Sequence, residues 1–295
     1  MAIVSKEQVK LVLARYQDAD TERTPWLNIW QLISEYIDGR TINFSGPSTP
    51  GQFLLRDIFD NTGIKSARTM VSAIIGMLWP NGAKSIRIIP SRGVKDTQAH
   101  RDYYAAITER LTQAFDDPEA NFVPILEEVV GSAVKYGTGA IEVVKGDECC
   151  DLHFRQYGLQ EIRIAQGANG VVDTIYILRE YSVHRAVAEY GLENLSPKVQ
   201  ELFKNQKYNE KIQILIAVEP NLTYDKTGKQ NNRNKKYRSL HIEMAGEFAI
   251  RQSGFEKQPI RVPRFWKNGN ETYGRSPGID AIPDILELNI IWEGV

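Results

Sequence analysis

A chain of 295 residues with 42% apolar and 25% charged side chains can bury one large or two modest domains. Its 36 basic against 37 acidic residues leave a formal net charge of -1, so there is no global field to draw nucleic acid, a membrane or an acidic substrate, and a conventional DNA-binding module is disfavoured. The opening Met1-Ala-Ile-Val-Ser-Lys-Glu7 has no basic region before an apolar core and cleavage site, which gives no reason to expect secretion and makes the cytosol the default.

The longest apolar stretch, Met70 to Pro80, is too short to cross a bilayer. Cys149 and Cys150 are adjacent, which suits a reduced pair better than a disulfide framework or the spaced ligands of a zinc site. Asn43, Asn221 and Asn270 open acceptor tripeptides that carry no meaning without a secretory route.

Two helices are predicted to open the chain, one from Glu7 to Tyr16 and one capped by Thr24 with Pro25 at its first position. Trp26, Ile29, Trp30, Ile33 and Ile37 line one face of the second, as core or as a subunit contact. Gly39 to Gly51 reads as an exposed connector. A third helix keeps its period through Ile64, Ala67, Val71, Ile74, Ile75 and Leu78 until Trp79-Pro80, and Ser85 to Ile89 alternates as a short strand.

A long helix from about Asp96 to Phe115 turns Tyr104, Ile107 and Leu111 inward. Asp117 and Pro118 then cap a helix whose broad apolar stripe from Phe122 to Val134 implies burial on more than one side. It ends at Tyr136-Gly-Thr-Gly139, a helix C-cap and tight turn; a dinucleotide fingerprint would pass from strand to helix and want a third glycine where Glu142 stands.

Beyond Cys150 the texture becomes strands: His153–Tyr157, Glu161–Ala165, Val171–Glu180, Ile212–Glu219, Ser239–Met244, Phe248–Arg251 and Ile260–Trp266. Gln166–Gly170 and Ala245-Gly246 read as hairpin turns, and Val183–Tyr190 and a segment begun by Ser196-Pro197 as helical inserts. Lys226, Lys229, Arg233, Lys235, Lys236 and Arg238 form a basic cluster between two strands, a solvated hairpin tip with Tyr224 and Tyr237 only at its ends.

The chain closes on Tyr273-Gly-Arg-Ser-Pro-Gly278 and an apolar helix. Ser276 supplies a cap, Pro277 the first helical position, Gly278 close approach, and Asp280 and Asp284 negative charge near the positive helix end. Ile279, Ile282, Leu286 and Ile290 recur at helical spacing, with Ile285, Leu288 and Trp292 widening the face. Pro283 implies either a kink or a late start with Asp280 as cap.

This last stretch, through Asp280-Ala-Ile-Pro-Asp-Ile285 and Leu288-Asn289, resembles the portal (head-to-tail connecting) proteins of tailed bacteriophages, the short-tailed kind in particular. Three further blocks follow in the order of that family: Asp60-Asn-Thr62 with Ala67, Leu78-Trp-Pro80 and Ser85–Ile89; Gly137-Thr-Gly139; and Asn169-Gly170, Arg179-Glu180 and Tyr190-Gly191. Where the family often has an aromatic residue in the strand, this chain has Ile86 and Ile88.

The resemblance implies an α+β fold: a wing with a helical part over residues 1–145 and a β-rich part over 146–270, then the start of a stem helix over 271–295. The family's clip, returning stem helix, tunnel loop and crown are expected beyond Val295, whether the chain is a fragment or a split or truncated gene product. By resemblance the protein is a structural subunit of a dodecameric ring at one capsid vertex, associating with itself, terminase, capsid and tail or adaptor proteins. Double-stranded DNA passes through such a ring without sequence readout, a role with which near-neutral charge agrees. The expected location is the virion, and the host cytoplasm before assembly, with no membrane partner.

Expected stem contacts are Ile285, Leu288, Ile291 and Trp292, forming an exposed apolar patch; the motif positions are Tyr273, Gly274, Arg275, Ser276, Pro277, Asp280 and Asn289. No catalytic residue, metal site or cofactor is expected. Nucleophile-elbow, zinc-protease and phosphate-loop motifs do not occur, and His100, His153, His184 and His241 are scattered one per element. Asp57, Asp60, Asp280 and Asp284 each have a capping or surface role that accounts for them. The rival functions are an intracellular α+β enzyme using the Gly137 turn or these carboxylates, and a monomeric DNA-binding adaptor using Lys226 to Arg238.

Overall fold

The computed structural model of the chain describes residues 4–39, 43–44, 58–80, 85–91, 93, 97–146, 151–228 and 231–294. Cys149, Cys150, Asp57, Lys229 and most of the Gly39–Gly51 stretch lie outside the described residues. In chain order the elements are α1 (Lys6–Tyr36), α2 (Thr62–Leu78), α3 (Gln98–Asp116), a 3-10 turn (Pro118–Ala120), α4 (Phe122–Tyr136), β1 (Ile141–Lys145), β2 (Leu152–Gln156), β3 (Ile162–Gln166), β4 (Val172–Ser182), α5 (Val183–Tyr190), a second 3-10 turn (Leu192–Asn194), α6 (Pro197–Lys204), β5 (Lys211–Pro220), β6 (Tyr237–Glu243), β7 (Phe248–Phe255), β8 (Ile260–Arg261) and α7 (Pro277–Glu293). The architecture is α+β, with helices gathered early and antiparallel strands later.

Two compact units emerge, and neither is a continuous stretch of chain. The first takes residues 1–28, 159–261 and 270–273; the second takes 29–158, 262–269 and 274–295.

The first unit is built on an antiparallel sheet in the order β3-β4-β5-β6-β7. Residues alternate between its faces, so Leu215, Ala217, Leu240 and Ile242 meet Val9, Val12, Tyr16 and Ala19 of α1. The intervening Ile212 and Ile214 pack against Val183, Ala186 and Val199 of α5 and α6. One sheet thus buries both faces, which is why β5 reads as a nearly continuous apolar run. Burial at this density stabilises by roughly 1.5–3 kcal/mol per large aliphatic side chain. The helical inserts start as the sequence implies: Ser182 Oγ accepts from Arg185 N and Ser196 Oγ from Val199 N. Ser196 Oγ also donates to the buried Glu243 carboxylate at 2.8 Å, which ties α6 to β6.

The second unit packs α2, α4 and α7 on one another, with α3 alongside and the β1–β2 hairpin against α4. Ala120, Ile125, Val129 and Phe154 form one core cluster with Phe115 and Phe122 around it, and the Trp79 indole stacks on Phe115 at 5.7 Å. Trp79 also ends α2, its N–H donating to Ile75 O at 2.8 Å.

Four sequence expectations are corrected. The two opening helices are one, because Thr24 does not cap: its hydroxyl donates back to Asp20 O at 3.1 Å, and the helix runs through Pro25 with one hydrogen bond fewer. α3 starts within about two residues of where the sequence places it, with Thr97 as its cap accepting from His100 N. Asp117 caps a 3-10 turn, accepting from Glu119 N, and α4 begins only after the left-handed Asn121. Ser85 to Ile89 forms no strand; Ile88 N–H donates instead to Thr108 Oγ1 of α3 at 3.0 Å. The Ile260–Trp266 strand shrinks to β8 and two isolated bridges, Thr138 with Arg264 and Trp266 with Arg275, because Pro263 cannot donate to a ladder.

Candidate assembly site

The Gly137–Gly139 and Gly274–Gly278 motif positions, far apart in the sequence, meet where α4 ends and α7 begins. Gly137 ends α4 in the left-handed region, φ 86°, its N–H closing on Ala133 O. Thr138 follows, its Oγ1 accepting the Gly274 N–H at 2.9 Å while its carbonyl accepts Ser132 Oγ at 2.8 Å. Gly139 N–H donates to Pro263 O, Phe265 N–H to Gly137 O, and Trp266 and Arg275 exchange two backbone bonds. The Gly-Thr-Gly turn is thus a backbone clamp on the segment leading into α7. A side chain at Gly278 would also be blocked, since a Cβ there would lie 2.5 Å from Lys135 O.

Ser276 acts at both ends of this clamp. Its Oγ accepts Ile279 N–H at 3.1 Å, capping α7, and donates to Lys135 O at 2.7 Å, filling a carbonyl left open at the end of α4. Ser276, rather than Asp280, is therefore the cap; Asp280 is exposed in the first turn and Pro283 sits in the exposed side of a helix that runs through it. The last turn of α4 is held from the other side by Asp38, which accepts Tyr136 Oη at 2.8 Å and pairs with Lys135, and by Trp30 Nε1 donating to Tyr136 O. No sequence pattern singles out Asp38.

Further along α7, Asn289 is buried and its Oδ1 accepts two backbone N–H groups, from Phe59 at 2.8 Å and Asp60 at 3.3 Å. Asp60 in turn accepts Thr62 N–H with both carboxylate oxygens at the start of α2. Two motif blocks more than two hundred residues apart are joined by these bonds. Nearby, Ile285 is buried, its Cδ1 2.8 Å from where a Cβ on Gly63 of α2 would stand. Ile285 is therefore taken out of the apolar patch expected around it, because α2 covers it. Leu288 is half-buried, whereas Ile291 and Trp292 are exposed, joined by Ile290.

Tyr273 belongs to the first unit, where it is fully buried against Trp26 and its Oη receives Ile164 N–H at 3.4 Å. Burial pushes its phenol up to about 12. Arg275 is exposed and Pro277 half-buried.

The remaining candidate groups are dispersed. His241 sits half-buried on β6, its Nδ1 2.9 Å from Tyr190 Oη, and desolvation helped by the Arg251 cation lowers it to about 4. His100 is exposed at the start of α3, His153 Nδ1 faces Glu119 O, and His184 packs on Tyr208. Asp280 and Asp284 are exposed on α7, away from Asp60's capping role. Among the described residues no group of three His, Cys, Asp or Glu could hold a metal ion, and no helix is long and apolar enough to cross a membrane.

The buried Ser276, Asp38 and Asn289 hold helix ends and the segments leading into them, and the class so defined is an α+β module with one helix left partly uncovered. Residues 9–293 match the model of the bacteriophage head to tail connecting protein family, and the chain belongs to that family. It is 26% identical over 295 residues to the portal protein of Salmonella phage epsilon15, covering 98% of this chain and 52% of that protein. It is 25% identical over 283 residues to the probable portal protein of Bordetella phage BPP-1, covering 95% of this chain and 50% of that one. The chain spans about half the length of the curated relatives it matches.

Proposed function

We propose that this chain is a structural, non-enzymatic part of a phage portal: a subunit of a ring, dodecameric by family resemblance, at one capsid vertex. The ring conducts double-stranded DNA during packaging and ejection and docks terminase, capsid and tail or adaptor proteins. Residues 1–145 and 146–270 form the helical and β-rich parts of the wing, and 271–295 begin the stem. The virion is its place, after the host cytoplasm before assembly.

The observation that carries this reading is the family match over residues 9–293. It is supported by relatives named as portal proteins and by the last turns of α7, where Ile290, Ile291 and Trp292 face solvent. Apolar side chains exposed together on one helix gain most by packing against another helix. A ring made by a head-to-tail contact repeats that packing until it closes.

Electron microscopy tests the proposal on two chains: these 295 residues, and the same residues extended to the length their relatives have. Closed rings are expected only from the longer one. Rings from the shorter chain would move the closing contacts into the wing, and a monomer from the longer chain would sink the portal reading.

A further inference from the structure

Helices α2 and α7 belong to one compact unit, and each buries one side and exposes the other along its length. On α7 the exposed Asp280, Asp284, Glu287 and Ile291 follow one another at steps of four, three and four, so a turn of about 100° per residue brings them onto one outward line. Ile282, Ile285 and Asn289 lie buried on the opposite side. Ile290 is exposed beside Ile291, so the line reads acidic first and apolar last.

On α2 the exposed Lys65, Thr69, Ser72 and Gly76 repeat the same steps, with Gly63 and Val71 buried behind them. Arg68 and the 75% exposed Met77 flank this line on either side. A Cβ on Gly76 would meet nothing within 4 Å, so the line ends in open space. Positive charge and hydroxyl donors stand here where α7 carries carboxylates. Among the described residues, Lys65, Arg68, Asp280, Asp284 and Glu287 make no ion pair.

The two lines match in register as well as in charge. Laid parallel with Asp280 opposite Lys65, α7 brings Asp284 to Thr69 within reach of Arg68, Glu287 to the Ser72 hydroxyl, and Ile291 onto Gly76 beside Met77. The span is about 16 Å on both helices. An antiparallel arrangement would instead set Ile291 on Lys65 and a carboxylate on Gly76.

We propose that α7 of one copy docks in this parallel register on α2 of a second copy. The inference deepens the ring-forming reading and rests on it, giving the exposed end of α7 a defined neighbour. Its own α2 cannot serve, because Ile285 already meets Gly63 through the buried sides of the two helices. Charge complementarity selects a second copy: both faces lie on one chain, so each copy brings the two halves of a head-to-tail contact.

Sedimentation velocity of the 295-residue chain at about 50 mM salt, where screening is weak, tests this. Concentration-dependent, open-ended self-association is expected. Gly76→Gln fills the open end of the α2 line with a better helix former, so it should weaken association at least about tenfold without lowering the urea midpoint. Lys65→Glu with Arg68→Glu, or Asp280→Lys with Asp284→Lys, should each weaken it to a similar degree. Mixing these two chains should restore it, because each face then finds its opposite. Circular dichroism checks folding, and Arg68→Glu mixed with Asp284→Lys repeats the exchange without touching the first turn of α7. A monomer at low salt, association indifferent to Gly76→Gln or to the reversals, or no recovery on mixing would each overturn the inference. So would loss of duplex DNA binding on reversal of Lys65 and Arg68 with self-association intact, which would make DNA the occupant of α2. Rings of the longer chain that survive every variant would leave the portal reading standing and remove this contact; a longer chain that forms no ring while the shorter one passes the exchange would do the reverse.

Discussion

Gly137 and Gly274 meet backbone to backbone, so closely that a Cβ on Gly137 would lie 2.1 Å from the Gly274 carbonyl oxygen and one on Gly274 2.2 Å from that of Gly137. Neither turn can retreat freely: Gly137 O accepts Phe265 N–H and Gly274 N–H is held by Thr138 Oγ1. Gly137→Ala adds a left-handed backbone cost to the clash, whereas Gly274→Ala isolates the clash alone. Each is expected to destabilise by roughly 3 kcal/mol or more, with the larger loss at Gly137, read as a shift in the urea midpoint. A loss under about 1 kcal/mol at Gly274 would mean that the two turns are not packed this tightly.

Asn289 is expected to matter through its oxygen. Asn289→Leu keeps much of the volume but strands the Phe59 and Asp60 N–H groups, at a cost of about 1–3 kcal/mol. Asn289→Asp keeps the acceptor and should lose less. Hydrogen exchange at the Phe59 and Asp60 amides separates the cases, with exchange accelerated in the leucine variant only; unchanged exchange there would count against the bonds.

Stability should fall as the pH drops from about 6.5 to about 4 through His241. Its folded value is lowered, so over that window the unfolded chain holds more protons than the native one, and stability rises with pH. The linked loss is on the order of 3 kcal/mol and complete below about pH 4. His241→Gln, which keeps a polar group near Tyr190 Oη, should flatten this part of the pH profile relative to the parent chain. Equal slopes for the two proteins would show that other groups carry the effect.

Any weak, salt-sensitive affinity of the isolated chain for duplex DNA should survive replacement of Lys229, Arg233, Lys235 and Lys236 by Ser. The chain has no net positive charge, and two of the basic side chains in this connection are already committed to Glu256 and Glu219. A filter-binding salt titration reads both affinity and slope; a large fall in both would favour the DNA-binding adaptor.

Turnover is not expected from the scattered histidines. His241 hydrogen-bonds Tyr190, and the other three lie on three separate elements, α3, β2 and α5. Single replacement of His100, His153, His184 or His241 should alter folding or assembly only. Saturable hydrolysis of a nucleotide by the purified chain, lost in one of these variants, would contradict that.

What the sequence determines by itself is local. Ser196 and Ser276 each cap the helix that follows them, Gly137 ends α4, and the strands from β2 to β6 stand within about two residues of where their β-branched runs place them, because caps, glycine and side-chain alternation act over a few residues of chain; β7 runs on past Arg251 to Phe255. Tertiary structure alone decided what competes with those signals. Thr24-Pro25 looks like a helix start, yet α1 continues through it, with Tyr16 and Ala19 packed on the sheet of the first unit and Trp30 and Ile33 buried in the second. Ile86 and Ile88 alternate like a strand, but α3 rather than another strand lies beside them. Ile285 and Ile291 share one apolar helix, and only the position of α2 buries the first and leaves the second in solvent. The meeting of Asn289 with Phe59 and Asp60 spans more than two hundred residues, a separation at which no local propensity acts and only the packed helices bring donor to acceptor.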